Sequence, residues 1–356
     1  MHYRNTVGKV IVSILVCVPV LFGLFFSLKF LVKGLSGEPE SDLKILSGCE
    51  EFDIPDLSYT EVFGEACNCM TPQGICVAGD YILITAFCNI DSYKEDLVEN
   101  SDELANQLMI ASEETHERHN SVLYVMDKDS REHLATLIFD DRSHVGGITF
   151  DGEYVWVAKG GNCKIDAYAY SALDECIKLR SYSYPICEPA GEIVCNNVTS
   201  FVTYYDNCIW AGTYSGETAE NGVLVGYSIY EENGVHAADM HKVIVIPSHA
   251  NGADFIEDDG RTYLAITSSY GRNKNSKLFI YDTETDLDPG EDVIQYGVEK
   301  THTLPPMAEE ICADGNDLYF LFESASTAYS AVESDKCTNV VNTVCVANVK
   351  ELINRK

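Results

Sequence analysis

The chain has 356 residues, a formal net charge of −32 and 46% apolar residues. This apolar content is enough for the core of one large β domain with a small appendage. A chain this acidic repels phosphate backbones, and we therefore expect no nucleic-acid partner.

Residues 10–28 form an uncharged apolar segment, VIVSILVCVPVLFGLFFSL. As a helix, this segment nearly crosses the roughly 30 Å hydrocarbon layer of a bilayer. The sequence therefore predicts a transmembrane anchor within residues 10–33 that holds the protein in the lipid bilayer. No small-residue cleavage site follows Leu28, which favours an uncleaved anchor; a cleaved signal peptide is the alternative.

Basic residues flank this segment on both sides, so charge alone does not orient it. The long domain that follows favours a cytoplasmic N-terminus and an extracytoplasmic C-terminal part. We expect a cytoplasmic tail (residues 1–9), the anchor (10–33), a stalk (34–57) and an extracytoplasmic domain (58–356). Residues 1–36 hold four basic and no acidic side chains, so the rest of the chain carries −36.

Thirteen of the fourteen cysteines lie beyond the apolar segment. Outside the cytoplasm such cysteines normally form disulfides, and an odd number leaves one thiol free or paired between chains. Two candidate pairs are Cys187 with Cys195 and Cys337 with Cys345. We find no Cys-x-x-Cys or Cys/His spacing typical of a zinc site.

A strand–turn–strand pattern recurs along the extracytoplasmic part. Its clearest copies begin at Thr71, Ser143, Asn197, His249 and Pro305. Positions 74, 147, 200, 253 and 310 align and are 73, 53, 53 and 57 residues apart. The first interval is long because an acidic, helix-prone insertion occupies about 90–120.

Four short strands in each repeat of this length are typical of propeller blades. We therefore predict an all-β fold, a β-propeller of five four-stranded blades. Residues 58–66 are expected to supply the missing outer strand of the last blade and so close the ring. Six blades and an open sandwich are the alternatives.

Five motifs carry a resemblance to known proteins: TPQGIC, SHVGGI, SSYGRNKNSKLFIYD, LPPMAEEI and LFESAS. With these motifs the chain resembles a group of bacterial membrane-anchored or secreted propeller-like proteins over residues 70–330. The resemblance implies the architecture and specifies no chemistry. More loosely, the repeat is similar to propeller lactonases, phytase-like esterases and calcium-dependent nucleotidases, a likeness of fold alone.

Two sets of residues are expected to meet at one face of the propeller. One set opens the inner strands, and the other follows the second strands. From these sets we predict a ligand-binding site formed by Gln73, Asn251, Tyr214, Tyr270, Arg272 and Ser324. The planar guanidinium of Arg272 suits a carboxylate or phosphate, although an internal salt bridge explains it equally well.

Adjacent glutamates at the start of an inner strand point to a cation. Glu309 and Glu310 are the candidate metal ligands, with Ca²⁺ as the possible ion, because hard cations prefer carboxylate and amide oxygens. A water-filled polar tunnel mouth is the alternative. The candidate catalytic residues are His144 as a base, Arg272 and Glu323.

Two functions from different classes remain open. The first is a binding module that presents its funnel to an extracellular small molecule, glycan or protein. The second is a Ca²⁺-dependent hydrolase of lactones, esters or phosphoesters. The first is favoured because the sequence contains no catalytic constellation and is rich in tyrosine, a common contact residue.

Overall fold

The structure is a computed structural model that describes residues 45–90, 118–179, 186–216, 221–233, 235–288, 293–331 and 336–354. The chain divides into two compact units, Met1–Leu43 and Lys44–Lys356, and the first lies outside the described residues. The expected anchor and residues 91–117 of the insertion also lie outside them. In the described ranges, every helix is too short or too polar to cross a bilayer.

Short strands dominate the described residues. The first half of the chain contains β1 (Glu50–Asp53), β2 (Thr60–Val62), β3 (Glu65–Cys67), β4 (Met70–Ala78), β5 (Tyr81–Cys88), β6 (Val122–Asp127), β7 (His133–Phe139), β8 (Gly147–Phe150), β9 (Tyr154–Ala158), β10 (Asn162–Ala169), β11 (Ile186–Cys187) and β12 (Gly191–Thr199). The second half contains β13 (Phe201–Tyr205), β14 (Cys208–Thr213), β15 (Gly222–Glu232), β16 (Val235–Ile246), β17 (Ala250–Asp258), β18 (Arg261–Ser268), β19 (Asn275–Asp286), β20 (Val293–Ile294), β21 (Tyr296–Pro306), β22 (Ala308–Asp314), β23 (Asp317–Phe322) and β24 (Thr343–Asn348).

These strands form a five-bladed β-propeller. From blade 1 to blade 5 the antiparallel strands are β4-β5-β6-β7, β8-β9-β10-β12, β13-β14-β15-β16, β17-β18-β19-β21 and β22-β23-β24-β1. The first strands of the blades contact one another in a closed ring. The predicted five blades are therefore confirmed, and the alternatives of six blades and an open sandwich are wrong.

The ring is closed by an N-terminal strand, but not by the expected one. Strand β1 pairs antiparallel with β24, from Glu50 opposite Val346 to Asp53 opposite Thr343. Residues 58–66, expected in this role, instead contribute to the separate β2–β3 hairpin. The β1 sequence, EEFD, is acidic and lacks the apolar alternation typical of a strand. Phe52 is its only buried residue.

The expected stalk over 34–57 also differs from the structure in its described part. Strand β1 belongs to blade 5, and Ile45 and Leu46 are buried in the apolar cluster of blades 4 and 5. The same cluster includes Val349 and Leu352 of a terminal helix. Residues 45–53 are thus part of the propeller, because their apolar side chains complete its core.

The turns follow from residues that tolerate positive φ. Asp259 and Gly260 join β17 to β18 with φ of 49° and 79°. Asp206 and Asn207 join β13 to β14 with φ of 50° and 58°. Positive φ at both central positions is the type I′ geometry, whose twist matches that of antiparallel strands.

Apolar clusters fill the spaces between blades. Trp156 and Trp210, on equivalent second strands, are buried in the clusters between blades 2 and 3 and between blades 3 and 4. Three helices lie among the described residues: α1 (Tyr170–Leu179), α2 (Thr327–Ser330) and α3 (Val349–Asn354). Of these, α2 follows the second strand of blade 5 and contacts β4, the first strand of blade 1.

The expected disulfides are wrong. All thirteen cysteines among the described residues are free thiols. Cys187 lies at the outer edge of blade 1, whereas Cys195 belongs to the cluster between blades 2 and 3. Cys337 instead donates to the Asn339 carbonyl at 3.5 Å. Nearness in sequence did not bring these thiols together, because they belong to different packing units.

Candidate functional site

A cavity of about 450 Å³ opens at the face where the inner strands begin. We call it the central funnel. Its walls contain most of the residues predicted from the sequence: Gln73, His144, Tyr214, Asn251, Tyr270, Arg272, Glu309 and Glu323. The remaining lining residues are Gly146, Gly160, Gly161, Ser200, Ser269, Gly271, Met307 and Tyr329.

Irregular strand pairing aims three of these side chains. The register slips around Gln73, Asn251 and Glu309, each near the start of an inner strand. A bulge of this kind bends the strand and redirects a side chain out of the regular alternation. Met307, directly before β22, has φ of 63°, a conformation that is costly for a non-glycine residue. Local strain therefore accompanies the placement of Glu309.

Two carboxyl groups, those of buried Glu309 and half-buried Glu323, form the chemical centre of the funnel. They are hydrogen-bonded to each other, and burial, together with the charge of its partner, raises the pKa of Glu309 well above its usual value. Burial also raises the pKa of Glu323, to about 7, against the opposing effect of its hydrogen bonds. The pair therefore retains a proton near neutral pH, since two like charges this close resist full ionisation.

Amide side chains hold this pair in place. Gln73 Nε2 donates to Glu323 Oε2 at 3.2 Å, and Asn251 Nδ2 donates to Glu309 Oε1 at 3.3 Å. Both donors were predicted as ligand-binding residues. Their contacts orient the carboxyl groups, and their ligand-binding role stays a prediction.

Tyr329 was missed by sequence reasoning. It belongs to α2, not to a strand end, and hydrogen-bonds to Glu323. Asn89 Nδ2 donates to its hydroxyl at 2.8 Å, and the Arg272 guanidinium carbon lies 5.1 Å from its ring centroid. Its only signal in the sequence is its position after β23, five residues beyond Ser324.

The rim of the funnel is aromatic. Tyr214 and Tyr270 are 39% and 52% exposed, and His249 lies between them with ring-centroid distances of 5.7 and 4.5 Å. Lys274 Nζ lies 4.4 Å from the Tyr270 centroid. Exposed tyrosine faces over a polar floor can stack on a ligand while their hydroxyls stay hydrated.

His144 also lines the funnel, with its ring edge-on to Phe87 at 4.2 Å between centroids. Its side chain is accessible from the funnel. The surrounding protein nevertheless keeps water from the charged imidazolium, and this desolvation, together with the charge of Arg118, lowers the pKa of His144. A neutral imidazole can accept a proton or a hydrogen bond at neutral pH. Its candidate role as a base stays a prediction.

Glu310 lies on the propeller axis and is absent from the cavity lining. Its carboxylate accepts hydrogen bonds from the backbone amides of three other blades: Ile75 at 2.9 Å, Ile148 at 3.0 Å and Val202 at 3.5 Å. It therefore joins the inner strands at the axis. Its candidate role as a metal ligand stays a prediction.

Ser324 is also outside the cavity lining. Its hydroxyl accepts from the Val341 amide at 2.9 Å, and its side chain is fully buried. Ser324 was predicted to contact a ligand, but in the structure its side chain does not line the funnel. After β23, Glu323 lines the funnel, whereas the Ser324 side chain is bonded to the Val341 backbone.

Comparison with known proteins yields no family. No family model matches the chain, and no curated protein matches its sequence. Among solved structures, Myxococcus xanthus glutaminyl cyclase has 8% identity and a TM-score of 0.41, covering 82% of this chain and 96% of its own. Kuenenia stuttgartiensis hydrazine synthase has 9% identity and a TM-score of 0.36, covering 74% and 56% respectively. These similarities are too low to support a function.

Proposed function

We propose that the chain is a binding propeller whose central funnel takes a small amine-bearing ligand. The observation that carries this proposal is the hydrogen-bonded carboxyl pair Glu309–Glu323 at the funnel floor. Such a pair can hold a proton or another positive group between its members. A ligand ammonium group would replace the shared proton and form charge-assisted hydrogen bonds with both carboxylates.

The remaining walls suit the rest of such a ligand. Exposed Tyr214 and Tyr270 provide aromatic faces at the rim, and a cation or an apolar stem can pack on them. Arg272 provides a positive group on the same wall, which favours a ligand with an anionic group beyond the amine. Free amino acids have this arrangement of charges.

Calorimetric titration of the purified protein tests the proposal. The probes are primary amines, diamines and amino acids. Each is compared with the analogue in which a hydroxyl group replaces the amino group. We expect heat only with amines. In Glu309→Gln or Glu323→Gln we expect affinity to fall about 30-fold or more, because breaking a buried charge pair costs at least about 2 kcal/mol.

A matched control is Glu231→Gln, which changes an exposed glutamate on blade 3. It should leave binding unchanged. Equal affinity for amines and their hydroxyl analogues would contradict the proposal. So would wild-type affinity for amines in both Glu309→Gln and Glu323→Gln.

A second candidate is a Ca²⁺-dependent hydrolase of lactones, esters or phosphoesters. It is favoured by the same carboxyl pair, because Ca²⁺ prefers several carboxylate and amide oxygens. Glu309 and Glu323 would hold the ion, Arg272 would stabilise an oxyanion, and His144 would act as the base. Ca²⁺ titration of wild type and Glu323→Gln distinguishes this candidate: one site lost in the variant supports it, and no Ca²⁺ heat rejects it.

We also propose that the propeller is exposed on the extracytoplasmic side of the cell membrane. This rests on the apolar segment at 10–28 and on the acidic charge of the rest of the chain. Protease protection of intact cells tests it. Digestion of the propeller from outside, with a membrane-retained fragment, is the expected outcome; a fully protected propeller would contradict it.

A further inference from the structure

A second cluster of reactive side chains lies outside the central funnel, where the β2–β3 hairpin contacts blade 1. Cys67 ends β3, Cys88 ends β5, and His119 precedes β6. Their sulfur and nitrogen atoms all lie within 4.8 Å of one another. This is the only such group of three among the described histidines, cysteines and acidic residues.

The spacing of these atoms fits a tetrahedral metal ion. Cys67 Sγ and Cys88 Sγ are 3.6 Å apart, and Cys88 Sγ is 3.9 Å from His119 Nδ1. Zinc–sulfur bonds of about 2.3 Å and zinc–nitrogen bonds of about 2.0 Å place tetrahedral ligand atoms roughly 3.5–3.8 Å apart. Two of the three separations are therefore close to the required values, and the third, between Cys67 and His119, is within 4.8 Å.

The surroundings of the cluster also match a built site. Both cysteines are buried, and the His119 side chain is 9% exposed. The other ring nitrogen of His119 lies 3.5 Å from Glu65 Oε2. A carboxylate against the second nitrogen is the usual way in which proteins orient a metal-ligating histidine.

Zinc binds cysteine as the thiolate, so uptake of an ion at this cluster would be accompanied by release of thiol protons.

We propose that Cys67, Cys88 and His119 bind one Zn²⁺ ion, with Glu65 as the positioning residue for His119. The three ligands come from three segments, so the ion would link the β2–β3 hairpin to the second strand of blade 1. Sequence spacing did not reveal the site because its ligands are 21 and 31 residues apart. The proposal is independent of the ligand of the central funnel.

Elemental analysis of the full chain, purified with reductant and zinc, tests the site. We expect one Zn²⁺ per chain in wild type and less than a tenth of that in Cys88→Ser and His119→Ala. Cys69→Ser and Cys163→Ser are the matched controls, because both thiols are outside the cluster, and they should retain the ion. Glu65→Gln should weaken binding about 10–100-fold.

Cobalt substitution makes the test independent of variant folding. Wild type loaded with Co²⁺ should show thiolate-to-cobalt absorption with tetrahedral d–d bands, and a chelator should lower its melting temperature. Absence of these bands, metal loss in Cys69→Ser equal to that in Cys88→Ser, or a Cys67–Cys88 disulfide mapped in the isolated protein would each overturn the proposal.

Discussion

The carboxylate of Glu310 accepts a hydrogen bond from the backbone amide of Ile75 at 2.9 Å, across the propeller axis. Glu310 belongs to blade 5 and Ile75 to blade 1, the two blades at which the ring closes. Further amides from blades 2 and 3 donate to the same side chain. One side chain therefore satisfies backbone donors that the inner strands leave unpaired at the axis.

Replacement of Glu310 should destabilise the protein more than the loss of one side chain's packing would. Glu310→Ala leaves three buried amide donors without their acceptor, and each unsatisfied group costs about 1–3 kcal/mol. Glu310→Gln keeps one acceptor oxygen and should cost less than Glu310→Ala. Urea unfolding measures both, with Glu231→Gln as an exposed control. A loss in Glu310→Ala no larger than the control would contradict this role.

Glycine at 147 should be required by the close approach of the inner strands. A Cβ there would lie 2.6 Å from Phe201 Cα and 2.7 Å from Glu310 Oε1. Gly147→Ala should therefore lower the free energy of unfolding by about 1–3 kcal/mol or more. Gly216→Ala, whose Cβ would meet only Tyr214 at 3.7 Å, is the control and should be nearly neutral. Equal melting temperatures for the two variants would refute the expectation.

Stability should fall as pH rises from about 4.5 to about 7. Burial raises the pKa of Glu309 and Glu323 above their usual 4.5, Glu323 to about 7. In that window the folded state binds more protons than the unfolded state, so the free energy of unfolding decreases with pH. For Glu323 the loss is about 3 kcal/mol at most.

Glu323→Gln should remove the Glu323 contribution to this loss and leave that of Glu309, whose pKa burial still raises. Its melting temperature should be close to that of wild type at pH 5 and exceed it increasingly up to pH 8. Melting curves at several pH values measure the difference, and Glu231→Gln should follow wild type throughout. A constant difference between Glu323→Gln and wild type across the range would show that the pair does not titrate in this way.

The identity of the closing strand can be tested with two phenylalanines. Phe52 of β1 is 8% exposed and packs edge-on against Tyr319 at 6.5 Å between centroids, whereas Phe63 of the β2–β3 turn is 47% exposed. Phe52→Ala should therefore cost about 3–5 kcal/mol and Phe63→Ala little. Chemical unfolding of both variants measures this. A larger effect at Phe63 would restore residues 58–66 as the closing segment.

Much of the fold was predictable because its signals are local. Alternating apolar residues and turns such as Asp259–Gly260 act over a few residues, and they located each inner strand and each hairpin. The closing strand was misassigned because Glu50–Asp53 is acidic and short. Its strand conformation comes from the free edge of β24, which the local sequence does not reveal.

The candidate site was predictable in part for the same reason. Strand starts and second-strand ends repeat in every blade, so Gln73, Asn251, Arg272 and Glu323 were expected at one face and line one cavity. Tyr329 was missed because it lies on a helix outside the repeat. Glu309 and Glu310 were both candidate metal ligands, but the bulge at the start of β22 turned Glu309 toward Glu323 and left Glu310 at the axis.

The sequence by itself determined the repeat, the number of blades and the face at which polar side chains gather. Only the tertiary structure decided which distant groups meet: β1 with β24, Glu309 with Glu323, and Cys67 with Cys88 and His119. The physical reason is the distance along the chain over which each interaction acts. Strand alternation and turn conformation depend on neighbouring residues, whereas these contacts depend on the closure of the ring and on small register shifts within it.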